Sequence, residues 1–595
     1  MATTPSTRPR GPVWGRRSAL AAAIALSAGT LAVIGTTEAH AAGSCSVQYQ
    51  VSSSWSTGAT VAIDITNNGP ATTSWTLGFA FPGNQQVTNG WNGTYTQSGQ
   101  NVTVASENYN GALATGASTS TGFNLSYSGS DAVPTSFTLN GTTCDGGQNP
   151  PPTSPPPTSP PPTSPPPGGG SHVANPFVGA TGYLNPDYVK EVNAQASSDG
   201  SAAEAAVAKN PTAIWMDHIA AIAGDGGKLG LQAQMDNALA QAANAPVTIE
   251  VVVYDLPGRD CAALASNGEI PATQAGLTQY ESQYIDPIAA ILGNAKYAAS
   301  PNLRVVTVIE PDSLPNAVTN QSKPACATAT PFYEQGIEYA LNALHPIPNV
   351  YTYLDIAHSA WLGWSSNMGP AAQEYAKVIR ATKAGFAGVD GFISDTANYT
   401  PTTEPFLPNS TLSVGGQPLD SANFYQWNPF FDEHSYDNAM YSQLVSAGFP
   451  SSIGFLIDTS RNGWGGPSRP TQLNSSPTTP DTYVAANKVD QRPFRGDWCN
   501  QAGAGIGARP QAQPFGSSDH VIAFVWIKPP GESDGDYPSG SHTHGDPHCD
   551  PNGTNTDGNG GTYSTGSLSG GDVPAGQWYA AEFKQLVSNA YPALP

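Results

Sequence analysis

Polar side chains, most of them acidic, follow seven apolar, β-prone runs in the C-terminal two thirds of the chain. They are Asp217 and His218; Tyr254, Asp255, Arg259 and Asp260; Glu310 and Asp312; Asp355 and His358; Asp395; Asp458 and Arg461; and Lys528, Glu532 and Asp534. Any single aspartate among them is best explained as a turn or helix-cap residue. Recurrence after every run, in a chain with only 11% charged residues, indicates chemistry instead. Crowded carboxyl groups raise the pKa of one member, which a general acid requires.

The apolar runs that precede these side chains alternate with alanine-rich helical stretches. The runs are 213–216, 247–254, 304–309, 350–354, 391–393, 453–457 and 521–527. The helical stretches include 188–208, 229–243, 332–344, 371–384 and 437–447. Such alternation predicts a parallel sheet covered by helices, and about seven units favour a distorted β/α barrel over an open sheet. The carboxyl ends of parallel barrel strands open onto one mouth, so the polar residues should meet there.

The N-terminal part of the chain has a different pattern. Residues 42–145 alternate apolar and polar residues in short runs, such as 60–65, 75–79, 102–104 and 137–139, with turn residues between them. This pattern predicts an all-β sandwich. Residues 146–171 consist of Pro-Pro-Thr-Ser-Pro repeats and a glycine triplet, which indicates a linker. The second body is therefore expected to span 172–595.

Residues 1–41 are predicted to be a signal peptide. Four arginines (Arg8, Arg10, Arg16 and Arg17) precede an apolar stretch at 19–34, and Ala39-His40-Ala41 has the small-x-small form of a cleavage site. A membrane anchor is the weaker alternative, because the stretch is short and interrupted by polar residues. We therefore expect a secreted, extracellular protein that has no membrane attachment after processing. The Arg16-Arg17 pair leaves Sec and twin-arginine export both open.

All six cysteines follow the predicted cleavage site. An even number in an exported protein favours disulfides, and six cysteines allow fifteen pairings. The one scheme that pairs neighbours throughout is Cys45–Cys144, Cys261–Cys326 and Cys499–Cys549.

The composition excludes some partners and favours another. With 22 Lys and Arg against 44 Asp and Glu, the chain lacks the basic surface that nucleic acid or an anionic membrane would need. A hydrophobic content of 39%, with 12 Trp, 24 Tyr and 18 Phe, is enough for large cores. An acidic, aromatic and otherwise uncharged polar protein suits a neutral, hydroxyl-rich partner such as carbohydrate.

Five ordered motifs resemble those of glycoside hydrolase family 6. They lie at 254–266 (YDLPGRDCAALAS), 308–313 (VIEPDS), 353–364 (YLDIAHSAWLGW), 496–500 (GDWCN) and 525–535 (VWIKPPGESDG). The resemblance covers nearly all of 171–595. It implies a distorted β/α barrel that hydrolyses β-1,4-glucan with inversion of configuration.

The resemblance also implies roles for individual residues. Asp312 would be the general acid, and Asp260 the neighbour whose charge raises its pKa. Asp534 matches the candidate base, with a relay through waters near Ser266 and Asp260 as the alternative. An inverting pair is separated by about 6.5–9.5 Å, which leaves room for the attacking water. Tyr254 would press the sugar toward a distorted ring, while Asp355, Lys528 and Glu532 would hold its hydroxyls.

Aromatic residues are candidates for sugar platforms, because the apolar face of glucose stacks on indole. They are Trp215, Trp361, Trp364 and Trp498, with His358 as a further substrate-binding candidate at its strand end. A place in the core is as good an explanation for any Trp with apolar neighbours. The long segments 398–434, 462–482 and 529–573 could roof the cleft into a tunnel, with Trp427 and Trp464 lining it.

Two motifs in the first body, 85–91 and 137–144, resemble a family 2 cellulose-binding module. By position, Trp55, Trp91 and Tyr109 match that family's coplanar surface aromatics, whereas Trp75 is predicted to be core. The whole chain is therefore predicted to be a secreted, monomeric exo-cellulase that releases cellobiose, with cellulose and cello-oligosaccharides as partners. Attack from non-reducing ends follows from resemblance. The alternatives are an open-cleft endoglucanase of the same fold and a non-catalytic glucan-binding protein.

A histidine-rich segment has the spacing of a zinc site, with His542, His544 and His548 around Asp546. The adjacent Cys549 is predicted to form a disulfide, and the family resemblance implies no metal. We therefore expect no metal and no cofactor.

Overall fold

The computed structural model describes residues 44–55, 58–107, 110–128, 132–146, 172–538, 545–556, 560–570 and 572–595. The chain divides into two compact units on either side of residue 155. The predicted signal peptide, 1–41, and the predicted linker from 147 onward lie outside the described residues, so both stay predictions. Among the described residues, no helix is both long and apolar enough to cross a membrane.

The N-terminal unit is a β-sandwich, as its alternating pattern predicts. Its strands are Cys45–Trp55 (β1), Gly58–Asn67 (β2), Thr76–Ala80 (β3), Gln86–Trp91 (β4), Thr94–Ser98 (β5), Asn101–Ala105 (β6), Ser118–Ser126 (β7), Phe137–Leu139 (β8), Thr142–Thr143 (β9) and Asp145–Gly146 (β10). One sheet has the order β10-β1-β2-β7-β4 and the other β5-β6-β3-β8-β9. Inward side chains such as Ile63, Leu77 and Phe123 form the core between the sheets, and Trp75 is buried among them.

The C-terminal unit contains the predicted alternation of strands and helices. Its strands are Thr181–Gly182 (β11), Ile214–Met216 (β12), Val247–Val253 (β13), Leu303–Ile309 (β14), Val350–Asp355 (β15), Gly391–Ser394 (β16), Ser413–Val414 (β17), Gln417–Pro418 (β18), Gly454–Asp458 (β19), Gln511–Ala512 (β20), Val521–Val525 (β21), Thr554–Thr556 (β22) and Thr562–Ser564 (β23). Its α-helices are Pro186–Asp199 (α1), Ala202–Val207 (α2), Leu231–Gln241 (α3), Gln274–Gln279 (α4), Asp286–Leu292 (α5), Ala295–Ala298 (α6), Ser313–Thr319 (α7), Pro324–Leu344 (α8), Ser359–Leu362 (α9), Ser365–Ala381 (α10), Glu433–Ala447 (α11), Pro480–Asn487 (α12) and Ala580–Ser588 (α13).

A curled sheet of parallel strands forms the centre of this unit. Strands β13, β14, β15, β16, β19 and β21 are hydrogen-bonded in that order, and β12 pairs with β13. The two ends of the curled sheet approach each other where the Ala213 N–H donates to the Trp526 carbonyl at 3.0 Å. The predicted distorted barrel is thus confirmed, with a seam between β12 and β21.

Both faces of this sheet are apolar, which is why its strands read as unbroken hydrophobic runs. Alternate residues such as Val252, Val308 and Leu456 fill the interior of the barrel. Their neighbours, such as Val251, Ile309 and Ile457, pack against the surrounding helices. This double burial holds the carboxyl ends of the strands, and the loops that follow them, in fixed positions.

One predicted helix is divided in the structure. The stretch 188–208 was expected to be continuous, but α1 ends at Asp199 and α2 begins at Ala202. Gly200 has a left-handed φ of 66°, and the Ser201 side chain caps α2 by accepting the Glu204 N–H. A helix stop followed at once by an N-cap forces the break.

The six cysteines form three disulfides in the structure: Cys45–Cys144, Cys261–Cys326 and Cys499–Cys549. The first joins the two ends of the sandwich. The second ties the loop after β13 to α8, and the third ties the 496–500 region to the long segment after β21. The second and third disulfides therefore restrain loops of the barrel, and the first ties the start of β1 to the end of the sandwich.

Candidate functional site

A cleft of about 1320 Å³ opens at the carboxyl ends of the barrel strands. Twelve of the fourteen predicted catalytic and substrate-binding residues line it: Tyr254, Asp260, Ser266, Asp312, Asp534, Trp215, His358, Trp361, Trp364, Trp498, Lys528 and Glu532. The other two, Asp355 and Trp464, do not. The carboxyl ends of the strands therefore bring together residues that lie more than 300 positions apart in sequence.

Asp312 stands at the end of β14, directly before α7. Its backbone has a left-handed φ of 64°, a conformation that a short polar residue tolerates better than most. Its side chain makes no capping hydrogen bond to α7, so the explanation of Asp312 as a plain N-cap fails. The carboxyl group instead faces the cleft.

The surroundings of Asp312 favour its protonated form. Burial raises its pKa well above the usual range, and the nearby Asp260, Asp355 and Asp534 carboxylates raise it further. A protonated carboxyl group in a cleft has the property that a general acid needs near neutral pH.

Asp260 is buried and also adopts a left-handed φ, of 52°. The Tyr254 hydroxyl donates a short hydrogen bond to Asp260 Oδ2. Burial raises the pKa of Asp260, while the Arg259 guanidinium and hydrogen bonds from Ser266 and Tyr254 oppose that rise. Tyr254, Asp260 and Ser266 thus form one connected wall beside Asp312.

Asp534 is held in the opposite charge state. Its Oδ2 accepts hydrogen bonds from Tyr399 Oη (2.7 Å), Arg461 Nη1 (2.8 Å) and the Asn500 backbone N–H (2.9 Å). Burial alone would raise its pKa, but the Arg461 guanidinium and the Lys528 ammonium outweigh burial and lower it. One cleft therefore contains a carboxyl group that favours its proton and another that stays ionised.

The indole rings at the cleft are fixed by their N–H groups. Trp215 donates to the Ile527 carbonyl, Trp361 to Thr319 Oγ1 and Trp364 to the Gln426 carbonyl, each at 2.8 Å. Trp498 lies beside His548, with ring centroids 5.9 Å apart. Because the N–H groups of Trp215, Trp361 and Trp364 are already used, the faces of these three rings are the parts left to contact a ligand.

Two cations and a histidine complete the wall. Lys528 Nζ donates to the Ser533 carbonyl at 2.9 Å and lies 5.5 Å from the Trp215 ring centroid. Glu532 pairs with Lys228, whose Nζ is 2.9 Å from Glu532 Oε1. Burial, together with Arg492 and Arg495, lowers the pKa of His358 well below its usual value, so this imidazole is neutral.

The structure corrects two predicted substrate contacts. Trp464 is 0% exposed, packs in an apolar cluster with Val489 and Trp526, and donates its N–H to the Tyr399 carbonyl at 2.6 Å. It is a core residue, because its loop folds inward rather than over the cleft. Asp355 lies beneath the cleft wall, where its Oδ2 accepts the backbone N–H groups of Asp312 and Ala357.

Three groups in the network around Asp534 had no assigned role in the sequence. Arg461 was visible as a polar residue after β19, the same signal that marked the acids. Tyr399 lies in the loop after β16, and Glu582 lies in α13, where the sequence carries no motif. These groups are identified only by the hydrogen bonds that they form in the folded structure.

The histidine-rich segment is only partly described. Asp546 and His548 pair with each other, Oδ1 to Nδ1 at 2.5 Å, and Cys549 is in a disulfide. His542 and His544 lie outside the described residues. Among those that are described, no cluster of three potential metal ligands occurs.

The N-terminal unit presents one of its three predicted surface aromatics within the described side chains. Trp91 in β4 is 39% exposed and lies opposite Gly122 in β7. A Cβ atom at Gly122 would come within 2.5 Å of the Trp91 ring, so the indole lies flat on that glycine. The side chain of Trp55, and Tyr109 as a whole, fall outside the described residues, so their roles stay predictions.

Comparisons with known proteins agree with this division of the chain. A family model described as Glycosyl hydrolases family 6 matches residues 177–590, and one described as Cellulose binding domain matches residues 45–144. Exoglucanase A of Cellulomonas fimi is 52% identical over 434 residues, which cover 71% of this chain and 49% of that protein. The chain thus spans about half the length of this relative.

Fungal relatives and a solved structure extend the comparison. A probable 1,4-beta-D-glucan cellobiohydrolase C of Aspergillus clavatus is 37% identical over 430 residues, covering 71% of this chain and 78% of that one. The catalytic domain of Cellulomonas fimi Cel6B superposes with a TM-score of 0.68 at 52% identity, covering 71% of this chain and 97% of that domain.

Proposed function

The chain belongs to glycosyl hydrolase family 6, and from this premise we propose that it is a cellulase that hydrolyses β-1,4-glucosidic bonds with inversion. The observation that carries the proposal is the opposite charge preference of Asp312 and Asp534 in one cleft. Inverting hydrolysis needs one protonated and one ionised carboxyl group on opposite sides of the sugar. The names of the relatives, an exoglucanase and a cellobiohydrolase, support a glucan as substrate.

In the proposed reaction Asp312 gives its proton to the glycosidic oxygen as the bond to the anomeric carbon breaks. The leaving chain takes that proton and becomes a free hydroxyl. A water attacks the anomeric carbon from the opposite face and loses its proton to Asp534, which Arg461 and Lys528 keep ionised until then. The two carboxyl groups then exchange protons with solvent to regain their starting states.

Asp534 has one oxygen suited to the attacking water. Its Oδ2 carries the hydrogen bonds from Tyr399, Arg461 and Asn500, whereas Oδ1 stands 3.9 Å from Lys528 Nζ. A water held between Oδ1 and the sugar would be activated directly. The relay through Ser266 and Asp260 is the alternative that removal of the Ser266 hydroxyl would expose.

The direct test of inversion is the anomeric form of the first product. Proton NMR of a fresh digest of cellotetraose should show α-cellobiose before mutarotation, because attack from the opposite face converts a β bond into an α hydroxyl. A β product, or no hydrolysis of any soluble glucan, would reject the proposal.

We further propose exo action that releases cellobiose from non-reducing ends. The name exoglucanase of the most identical relative named above supports it. The Lys228–Glu532 ion pair at the cleft joins the glycine-rich loop 224–230 to the loop after β21. Trp427, 61% exposed and adjacent to the cleft residue Gln426, would extend the row of platforms outward from Trp364.

Exo and endo action differ in how fast they shorten chains. The viscosity of a soluble cellulose should fall slowly relative to the soluble sugar released, since an enzyme that cuts near chain ends barely changes chain length. Rapid thinning with little sugar would favour an open-cleft endoglucanase instead.

We propose that the N-terminal unit holds the enzyme on cellulose through Trp91 and its predicted partners Trp55 and Tyr109, and that the protein is a secreted monomer free of membranes. The match to a cellulose-binding domain supports the first point. The predicted signal peptide and the three disulfides support export.

A further inference from the structure

A buried glutamate from the C-terminal helix contacts the cation that holds Asp534. Glu582 lies in α13 and is 0% exposed. Its Oε1 accepts a hydrogen bond from Arg461 Nη1 at 3.2 Å, and the same nitrogen donates to Asp534 Oδ2 at 2.8 Å. One guanidinium nitrogen therefore bridges two carboxyl groups.

Tyr399 closes the network from the other side. Its hydroxyl lies 2.7 Å from Asp534 Oδ2 and 3.2 Å from Glu582 Oε1, and the Arg461 guanidinium stacks 4.3 Å over its ring. A hydroxyl has one proton to donate, and Asp534 is the nearer acceptor. Arg461 is thus the main link between Glu582 and the proposed base.

Glu582 and Asp534 share the Arg461 guanidinium, whereas the Lys528 ammonium stands 3.9 Å from Asp534 Oδ1. Glu582 Oε2 is buried and has no hydrogen-bond partner among the described residues, which disfavours a carboxylate. Burial raises the pKa of Glu582 to about 7; Arg461 opposes the rise and the Asp534 carboxylate adds to it. Glu582 is therefore neutral under mildly acidic conditions and ionises near neutrality.

Three other titratable groups lie around Glu582. Lys528 reaches it from the loop after β21, Tyr188 from α1 and Tyr579 from the start of α13. Burial raises the pKa of Tyr188 well above its ordinary value and that of Tyr579 to about 12, so both stay neutral. Neither tyrosine therefore changes its charge between pH 5 and 9.

We propose that Glu582 is a positioning residue for hydrolysis. It holds the Arg461 guanidinium against Asp534, and its protonation state determines how strongly that guanidinium interacts with Asp534. This inference rests on the proposed function. A neutral Glu582 leaves the guanidinium to Asp534. An ionised Glu582 competes for the same Nη1 group and loosens its bond to Asp534.

The test compares two substitutions of Glu582 in the full chain, with cellotetraose as substrate. Glu582→Gln keeps the oxygen that Arg461 binds but cannot ionise, so its kcat should equal the wild-type value at pH 5. Above pH 7 the wild-type kcat should fall relative to that of Glu582→Gln. Glu582→Ala removes the acceptor and should lower kcat about 10- to 100-fold at every pH with little change in KM, since a loosened Arg461 misplaces Asp534.

A matched control comes from another buried glutamate. Glu204 in α2 is also largely buried and near α13, but its backbone N–H bonds to Ser201 Oγ and it makes no hydrogen bond to Arg461 among the described residues. Glu204→Gln should leave both kcat and its pH profile unchanged. A constant ratio of wild-type to Glu582→Gln kcat from pH 5 to 9, or wild-type kcat in Glu582→Ala, would overturn the proposal.

Thermal unfolding separates this inference from the proposed function, because it needs no activity. A carboxyl group whose folded pKa lies above its ordinary value of 4.5 makes the folded state lose stability as pH rises from there to about 7. The Tm of Glu582→Gln should therefore increase relative to the wild-type Tm as the pH rises across that range. If it does so in a protein that hydrolyses no glucan, the function is wrong and the ionisation of Glu582 is right; a constant Tm difference refutes the ionisation.

Discussion

The backbone N–H of Asp312 donates a hydrogen bond of 3.0 Å to Oδ2 of Asp355, so one acid of the cleft is supported from beneath by another. Asp355 also accepts the Ala357 N–H at 3.1 Å, which fixes its own carboxyl group at the end of β15. The bond holds Asp312 in its left-handed conformation and leaves the Asp312 side chain to the cleft. It also brings a negative charge close enough to raise the Asp312 pKa.

Removal of the Asp312 proton should abolish most of the activity. We expect Asp312→Asn to lower kcat by about 10²- to 10⁴-fold, the usual contribution of a general acid, because an amide cannot protonate the leaving oxygen. Steady-state hydrolysis of cellotetraose measures this. Asp236→Asn, on the outer helix α3, is the control that should keep wild-type kcat. Binding to insoluble cellulose should survive in both variants, and turnover at the wild-type rate in Asp312→Asn would contradict the assignment.

The pH dependence should report the influence of Asp260 on Asp312. The Asp260 carboxylate raises the Asp312 pKa, so its replacement by Asn lowers that pKa. The general acid then loses its proton at a lower pH, and the alkaline limb of the kcat profile should move toward acid. Asn keeps an oxygen that can accept the Tyr254 hydroxyl, which limits structural change. A profile shifted toward alkali would mean that Asp260 does not act through its charge.

Trp464 and Trp361 should respond differently to truncation. Trp464→Ala empties a site in the core and should lower the free energy of unfolding by about 3–5 kcal/mol, with KM unchanged below the transition. Trp361→Ala should instead raise KM for cellotetraose, because its ring lines the cleft. Thermal unfolding and steady-state kinetics on both variants decide the matter. A raised KM in Trp464→Ala would indicate that Trp464 contacts the substrate after all.

The exposed face of Trp91 should contribute to adsorption on cellulose. Loss of one stacking ring is expected to weaken binding of Trp91→Ala by about 2- to 10-fold, the range of a single aromatic contact. Adsorption isotherms on microcrystalline cellulose measure the change. Activity on soluble cellotetraose should match wild type, since Trp91 belongs to the other unit. Trp75→Phe, in the core of the same sandwich, controls for a general loss of folding.

The regular elements of the barrel could be predicted because buried strands and helices have a recognisable local pattern of apolar residues. The run 304–309 became β14 at Leu303–Ile309, and the stretch 437–447 lies within α11 at Glu433–Ala447. Strands apolar on both faces leave an unmistakable pattern. Short helices such as α7 and α9 were missed, since one or two turns carry too few residues to show a period.

The residues of the site could be predicted where they lie inside recognisable motifs. Residues inside the matched motifs, such as Asp260, Asp312 and Asp534, reached the cleft. Trp464 did not, because the sequence shows that a tryptophan lies in a long loop but not whether the loop folds inward or outward. Asp355 is a motif residue that the structure buries, where it accepts the Asp312 and Ala357 N–H groups, and the motif alone does not show that its carboxyl group is used in this way.

By itself the sequence determined the two-unit organisation, the barrel and the acids gathered at its mouth, because strand patterns and strand-end acids are local features. The tertiary structure alone decided the charge states at that mouth. Burial and three carboxylates from other strand ends raise the pKa of Asp312, and Arg461 and Lys528 lower the pKa of Asp534. Glu582 of α13 binds the same Arg461. Electrostatic coupling falls off with distance in space rather than along the chain, so only the fold sets which acid keeps its proton.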